Sequence, residues 1–233
     1  VLQIAATNPK EAYKAVKIAE RYNYDEINLN VGCPSDKVSG NMMGAYLMAF
    51  PEEVANIVKA MKNATSKPVS IKHRIGIDGK NILPDSFERT LLDKYEDMMN
   101  FINITKKVGV NKYIIHARIA ILAGLDPKQN RSIPPLRYDE VYRVKKENPD
   151  LQLATNIGID KNYTAGITAI KALNPLFLQV HVNLMQELIM PEGSRNFNKW
   201  ENNLKEFVQN IKIPIILKEV GFGMTEDTIK KGI

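Results

Sequence analysis

The chain has one cysteine, Cys33, among its 233 residues. A single thiol excludes an internal disulfide and a cysteine-based zinc site, and it favours a reducing compartment. Long hydrophobic runs are also lacking: no apolar stretch reaches the roughly 18 residues that a membrane span needs. No charged n-region precedes Val1 to Ala6, so the expectation is a cytoplasmic protein with no membrane association. Absent too is any Gly-x-Gly-x-x-Gly after the first strand candidate, which argues against a dinucleotide-binding Rossmann domain. No linker or low-complexity stretch divides the chain, so a single domain over 1–233 is expected.

What is present fits a soluble globular protein. The 44% hydrophobic and 25% charged fractions allow a packed core and exclude a disordered or collagen-like chain. A formal charge of +6 suits a polyanionic partner, because each phosphate contact releases condensed counterions. A Lys-rich, Asn-rich and Ile-rich composition accounts for the same charge equally well.

Short runs rich in Ile and Val recur at Leu2 to Ala6, Ile27 to Val31, Val69 to His73, Tyr113 to His116, Leu151 to Thr155, Phe177 to Val180 and Ile215 to Val220. Each reads as a strand buried on both faces. Between them lie helical spacings with start signals: Asn8-Pro9 before Glu11 to Tyr22, Pro51 before Glu52 to Asn63, and Asp85 or Ser86 capping a helix to about Val108. Further helices fit Tyr138 to Glu147, Tyr163 to Leu173, Trp200 to Asn210 and Glu226 to Lys231. This alternation predicts an α/β fold of parallel strands with right-handed crossovers, a (β/α)-barrel of the TIM type. Seven candidates fall one short of the eight strands of a closed barrel. Either one strand is missed or the chain is a fragment or rearrangement. An unpaired edge would invite association, so a homo-oligomer is a further expectation.

In barrels the chemistry sits in loops at the C-terminal ends of strands. The second strand ends in Asn28-Leu29-Asn30-Val31-Gly32-Cys33-Pro34-Ser35, which sets a thiol at the rim. A thiol with an ordinary pKa of about 8.5 stays protonated at neutral pH and can act as a positioned acid. The bland reading, a small buried hydrophobe, is the commoner fate of a lone cysteine. The third strand carries Lys72, His73 and Arg74, and the fourth ends in His116-Ala117-Arg118. Lys72 near the N1 and O2 edge of a flavin would stabilise the reduced ring, while His116 and Arg118 could hold phosphate or substrate. Taken singly, any of these cations could merely snorkel to solvent.

These residues carry a resemblance. Gln3, then Asn30 and Cys33 in NVGCPSDKVSGNMMGAYLM, Lys72 and Arg74 in IKHRIGID, and His116 and Arg118 in HARIAILAGLDPKQNRSIPPLRYDEVYRVK look like the tRNA-dihydrouridine synthases of the A type over about residues 1–150. The resemblance implies an FMN-dependent oxidoreductase in which the reduced flavin gives hydride to C6 of a uracil flipped out of tRNA, Cys33 protonates C5, and NADPH re-reduces the flavin. It further implies that Asn30 orients the base, that Gln3, Lys72, His116 and Arg118 hold the flavin, and that Arg74 meets the substrate. Asn156-Ile157-Gly158 stands where the family carries an Asn-Gly-Gly clamp on the flavin phosphate, which makes Asn156 a candidate ligand.

Residues 151–233 instead resemble type 2 isopentenyl-diphosphate isomerase, another flavin barrel, through LQVHVNLMQE, Met190-Pro191-Glu192-Gly193 and Lys218-Glu219-Val220-Gly221-Phe222-Gly223-Met224. That likeness implies that His181, Asn183 and Gln186 bind isopentenyl diphosphate, that Glu187 ligates Mg²⁺ and that Lys218 contacts the flavin. The two likenesses together suggest half of one flavin barrel joined to part of another. Three functions stay open: a tRNA-modifying reductase, a diphosphate isomerase, and a catalytically silent scaffold. Both enzymatic readings require Cys33, Lys72, His116, His181 and Lys218 to converge on a common mouth.

Overall fold

A computed structural model describes residues 1–35, 42–154, 157–158, 163–175, 177–181 and 200–218. The chain forms two compact units, Val1–Thr155 and Asn156–Ile233. In both, parallel strands alternate with helices, the order of a TIM-barrel-type α/β fold.

In the first unit the elements run β1 (Leu2–Ile4), α1 (Pro9–Ala19), β2 (Ile27–Val31), a 3₁₀ turn (Gly44–Ala49), α2 (Pro51–Ala64), β3 (Val69–Asp78), β4 (Leu91–Leu92), α3 (Tyr95–Lys107), β5 (Lys112–Ile121), α4 (Gln129–Ser132), α5 (Tyr138–Glu147) and β6 (Gln152–Ala154). The sheet order is β1-β2-β3-β5-β6, all parallel, with the short β4 antiparallel to β3. The second unit holds β7 (Ile157–Gly158), α6 (Tyr163–Leu173), β8 (Leu178–His181), α7 (Trp200–Asn210) and β9 (Ile215–Lys218), whose strands pair in parallel as β7-β8-β9.

Local chemistry explains the helix starts. Asn8 Oδ1 accepts from the Glu11 N–H at 3.0 Å, and Pro9 occupies the first turn, where no amide hydrogen is needed. In α2 the same proline device at Pro51 is reinforced by Glu52 and Glu53, whose charges suit the positive end of the helix dipole. Its buried residues Val54, Ile57, Val58 and Met61 recur at helical spacing and form one stripe. The central strands are buried on both faces, with Ile27, Leu29, Ile71 and Ile75 at 0% exposure on one and Asn28 and Ser70 at 2% and 0% on the other.

The outer strands depart from that expectation. Among the described residues β1 and β6 each have a single strand neighbour and are only partly covered, so they do not match the predicted burial on both faces. The helix predicted from Asp85 or Ser86 begins instead at Tyr95. β3 runs on to Asp78 and the chain then doubles back: Gly79 N–H donates to Thr90 O at 2.9 Å and Leu91–Leu92 pair with Ile77 and Asp78. Gly76 permits this return, since a Cβ there would overlap the Leu92 carbonyl oxygen. The helix starts where Asp97 Oδ2 accepts from the Lys94 N–H at 3.1 Å. The long loops also hold the 3₁₀ turn and α4, and Ile157–Gly158 adds a short strand to the predicted set. Tyr138–Glu147, Tyr163–Leu173 and Trp200–Asn210 form helices as the spacing predicts. Residues 226–231 lie outside the described residues.

Register divides the sheet of the first unit into two faces, because side chains alternate and laterally paired residues of parallel strands point the same way. Gln3 pairs with Asn28, Asn28 with Ser70, Asn30 with Lys72, and Arg74 with His116. One face is therefore polar, and the other, carrying Leu29, Ile71, His73 and Ile75, is packed against helices. At the foot of the polar face a chain of hydrogen bonds crosses four strand edges. Gln3 donates to Asn28 Oδ1 (2.6 Å), Asn28 to Ser70 Oγ (2.8 Å), Ser70 to Glu26 Oε1 (2.5 Å), and Lys112 closes it on Glu26 Oε2 (2.5 Å).

Candidate active site

Above that layer, β2, β3 and β5 deliver Asn30, Lys72, Arg74 and His116 to one face, with Cys33 just past the end of β2. The turn bearing the thiol is built by Asn30, whose Oδ1 accepts from the N–H of Gly32 (3.0 Å) and of Cys33 (3.1 Å). This is an Asx turn, in which a short side chain replaces a backbone acceptor. Gly32 lies flat on β3: a Cβ there would meet His73 Cα at 3.4 Å. Ala45 N–H donates to Cys33 O at 2.9 Å and fixes the far side of the turn. The Cys33 side chain is half-buried.

Arg74 is buried at 3% exposure. Its Nε–H donates to Gly32 O (3.2 Å) and its Nη1 to Ile119 O (3.1 Å) and Asn130 O (2.8 Å). Burial, with Arg118 and Arg131 adding to it, brings its pKa down to about 10 against an opposing pull from Cys33, so it stays charged at neutral pH. These three hydrogen bonds all end on backbone carbonyls, an arrangement that holds loops together. Arg118 likewise turns to carbonyls, donating through Nη1 to Pro134 O and Ser132 O. A bulge aims it there. Arg74 pairs with His116 and Gly76 with Ile119, so Ala117 and Arg118 together stand opposite the single residue Ile75.

His116 is held neutral. Burial first, then the charges of Arg74, Arg118, Lys72 and Arg131, lower its pKa to about 3. The four side chains acting on it are all cations, so the rim favours an anion or an electron-rich ring edge, with an uncharged imidazole among the cations. Arg131 was not singled out in the sequence; it follows Asn130 on α4, and the Asp126 cap that opens this turn, accepting from Lys128 and Gln129 N–H at 2.7 Å each, was the available signal.

Of the predicted residues, Asn30, Cys33, Lys72, Arg74, His116 and Arg118 gather at this rim, and Gln3 lies on the same face one layer lower, bonded to Asn28. In the second unit His181 and Lys218 are register partners on β8 and β9. Asn156, Asn183, Gln186 and Glu187 lie outside the described residues. Among the described residues no group of three or more His, Cys, Asp or Glu could hold a metal ion, and no helix is long and apolar enough to cross a membrane. A cavity of about 220 Å³ is lined by residues that include Met48, Gly76, Phe87, Leu92 and Met98.

Fold and site together define a parallel α/β protein of TIM-barrel type with a thiol just past the end of β2, set among cations of β3 and β5. Residues 1–170 match the dihydrouridine synthase (Dus) family, and the chain belongs to that family. It is 47% identical over 158 residues to a tRNA-dihydrouridine(20/20a) synthase of Pseudomonas putida, covering 68% of this chain and 44% of that protein. It is 46% identical over 158 residues to the synthase of the same name from Synechocystis sp., with the same coverage of 68% and 44%. The chain thus spans less than half the length of these relatives. Among solved structures it resembles 3-dehydroquinate dehydratase from Geobacillus kaustophilus (TM-score 0.52, 10% identity, 94% of this chain and 72% of that one). It also resembles phosphoenolpyruvate phosphomutase from Streptomyces platensis (TM-score 0.51, 13% identity, 93% and 68%). At such identities the likeness concerns the fold alone.

Proposed function

We propose that this chain carries the catalytic rim of a tRNA-dihydrouridine synthase, reducing the C5–C6 double bond of a uridine in tRNA with FMN as cofactor and NADPH as reductant. The observation that carries the reading is the thiol of Cys33, held by the Asn30 turn beside Lys72, Arg74 and a neutral His116. The donor set suits a flavin: Lys72 and neutral His116 offer N–H groups to the electron-rich edge of the ring, and Gln3 stands on the same face. The flavin, when bound, supplies C6 with one hydrogen and two electrons drawn from NADPH.

The chain's own residues supply the rest. Cys33 donates the thiol proton to C5, and the thiolate recovers a proton from water, so the added hydrogens saturate one double bond. Asn30 commits its oxygen to the turn, leaving its amide N–H groups to meet a carbonyl oxygen of the base. Arg118 and Arg131 add positive charge where a nucleotide phosphate would enter, in keeping with the overall charge of +6. A tRNA substrate would be met in the cytoplasm.

The test is NADPH-dependent formation of dihydrouridine in tRNA by the purified, flavin-loaded chain. Loss of the general acid in Cys33→Ala is expected to lower the rate by about 100-fold or more while visible flavin absorbance stays. Equal rates for the two proteins would refute the assignment.

A further inference from the structure

We infer that Asn130 is a positioning residue for the Cys33 thiol, acting through Arg74. The inference deepens the function proposed above and rests on Cys33 being its proton donor.

Asn130, on the short helix α4, is a polar side chain at 0% exposure, where burial demands a full set of partners. It has them. Oδ1 accepts from Ile121 N–H (2.8 Å), and Nδ2 donates to Ile121 O (2.9 Å), Leu125 O (3.2 Å) and Asp126 O (3.3 Å). The carboxamide exchanges both a donor and an acceptor with Ile121, as a neighbouring strand would, and so welds residues 125–130 to the end of β5. With the side chain locked, the Asn130 carbonyl is fixed in space, and it accepts from Arg74 Nη1 at 2.8 Å. The same Nη1 reaches Ile119 O at 3.1 Å, so the guanidinium is anchored from two sides.

The free edge of that guanidinium meets the thiol turn. Arg74 Nε–H donates to Gly32 O at 3.2 Å, while the Cys33 N–H donates to Asn30 Oδ1 at 3.1 Å. Gly32 C=O and Cys33 N–H are the two ends of one peptide plane. Arg74 holds one end and Asn30 the other, so the plane cannot rotate, and its orientation dictates where the Cys33 Cα–Cβ bond points. Without the Asn130 side chain the carbonyl of residue 130 loosens, the guanidinium keeps only Ile119 O as a fixed partner on that side, and the Gly32 carbonyl and its plane gain room to shift. A displacement of about 1 Å in a reacting group costs on the order of 100-fold in rate.

Two variants of the full chain test this while keeping the positive charge near the thiol: Asn130→Ala, which removes the side chain that fixes the anchoring carbonyl, and Arg74→Lys, which keeps the charge but loses the planar fork. Cys33 is the sole cysteine, so its alkylation by iodoacetamide, followed by mass at neutral pH below each variant's melting temperature, reads the turn directly. The expected result is alkylation about fivefold faster or more in both variants, as the half-buried thiol gains access. In flavin-loaded protein, reoxidation by tRNA should fall about tenfold or more, while reduction by NADPH stays within about twofold. Unchanged alkylation overturns the inference whatever the tRNA assay gives, and so does equal slowing of both half-reactions, which marks a general structural effect. Where one variant fails to fold, the other decides. Wild-type protein that never reduces tRNA defeats the proposed function alone, and alkylation still judges the anchor.

Discussion

Acidification should weaken the first unit through one histidine. His73 is at 0% exposure on the apolar face of β3, with the rings of Phe101 and Tyr113 at 5.1 and 5.7 Å. Its Nδ1 lies 2.6 Å from Arg74 O, and a carbonyl can only accept, so Nδ1 carries the hydrogen. Nε2 has no partner among the described residues. Burial lowers the pKa from 6.5 to about 4, with the bond to Arg74 opposing. The unfolded chain therefore takes up this proton first as pH falls. Stability from His73 is fully present above pH 6.5, declines between 6.5 and about 4, and is lost below. At about 1.4 kcal/mol for each decade of proton affinity, the loss is about 3 kcal/mol. His116 acts with the same sign, so the measurement must be a difference. Urea unfolding followed by circular dichroism, at steps across this pH range, is compared for wild type and His73→Phe. The variant gives up a hydrogen bond to the Arg74 carbonyl, about 1 kcal/mol at neutral pH, and in exchange buries an apolar ring beside two others. The gap between the two stabilities should shift by about 3 kcal/mol in favour of the variant on acidification. Parallel curves across the whole window would refute the reasoning.

Two further substitutions probe how the rim is supported. Gly76→Ala places a methyl group against the Leu92 carbonyl and within 2.8 Å of Asp93 Cα, so the β3–β4 return must shift. A loss of about 1–3 kcal/mol, read as a lower melting temperature, is expected, and an unchanged melting temperature would contradict the close approach. Ser70→Ala removes the hydroxyl that links Asn28 to Glu26 beneath the site. Two buried groups lose a partner, so destabilisation of about 2 kcal/mol in urea unfolding is expected; a neutral result would mean that the polar layer rearranges freely.

The sequence made the central strands readable because Ile, Leu and Val recur at alternate positions and fill one buried face, as in β2 and the first half of β3. Helices such as Tyr138–Glu147 were equally plain from their spacing. Cys33, Lys72, Arg74 and His116 could be placed together because the predicted strands end near them and parallel register aligns them, although β3 and β5 run on to Asp78 and Ile121. Other features have no one-dimensional signature. Asp85 and Ser86 look like a helix cap, yet the close packing allowed by Gly76 turns that stretch into a return to β3. The register shift at Ala117 and Arg118 is hidden in a run of small and branched residues. Asn130 reads as an ordinary loop asparagine, since nothing local announces that it is enclosed. Arg74 reads as a substrate-binding cation, whereas in the fold its guanidinium grasps backbone oxygens of distant segments. The diphosphate-isomerase likeness turns on Asn183, Gln186 and Glu187, which fall outside the described residues.

The additional residue in β5 changes parity along the strand. As far as His116 the even-numbered positions share a side with Lys72 and Arg74; beyond it, Ile119 and Ile121 take over that side. On that side the cations are thereby followed by Ile119 and Ile121, where an unbroken alternation would have continued with Arg118. A planar aromatic guest resting there would find a greasy collar above and a basic floor beneath, a boundary drawn by one inserted amino acid.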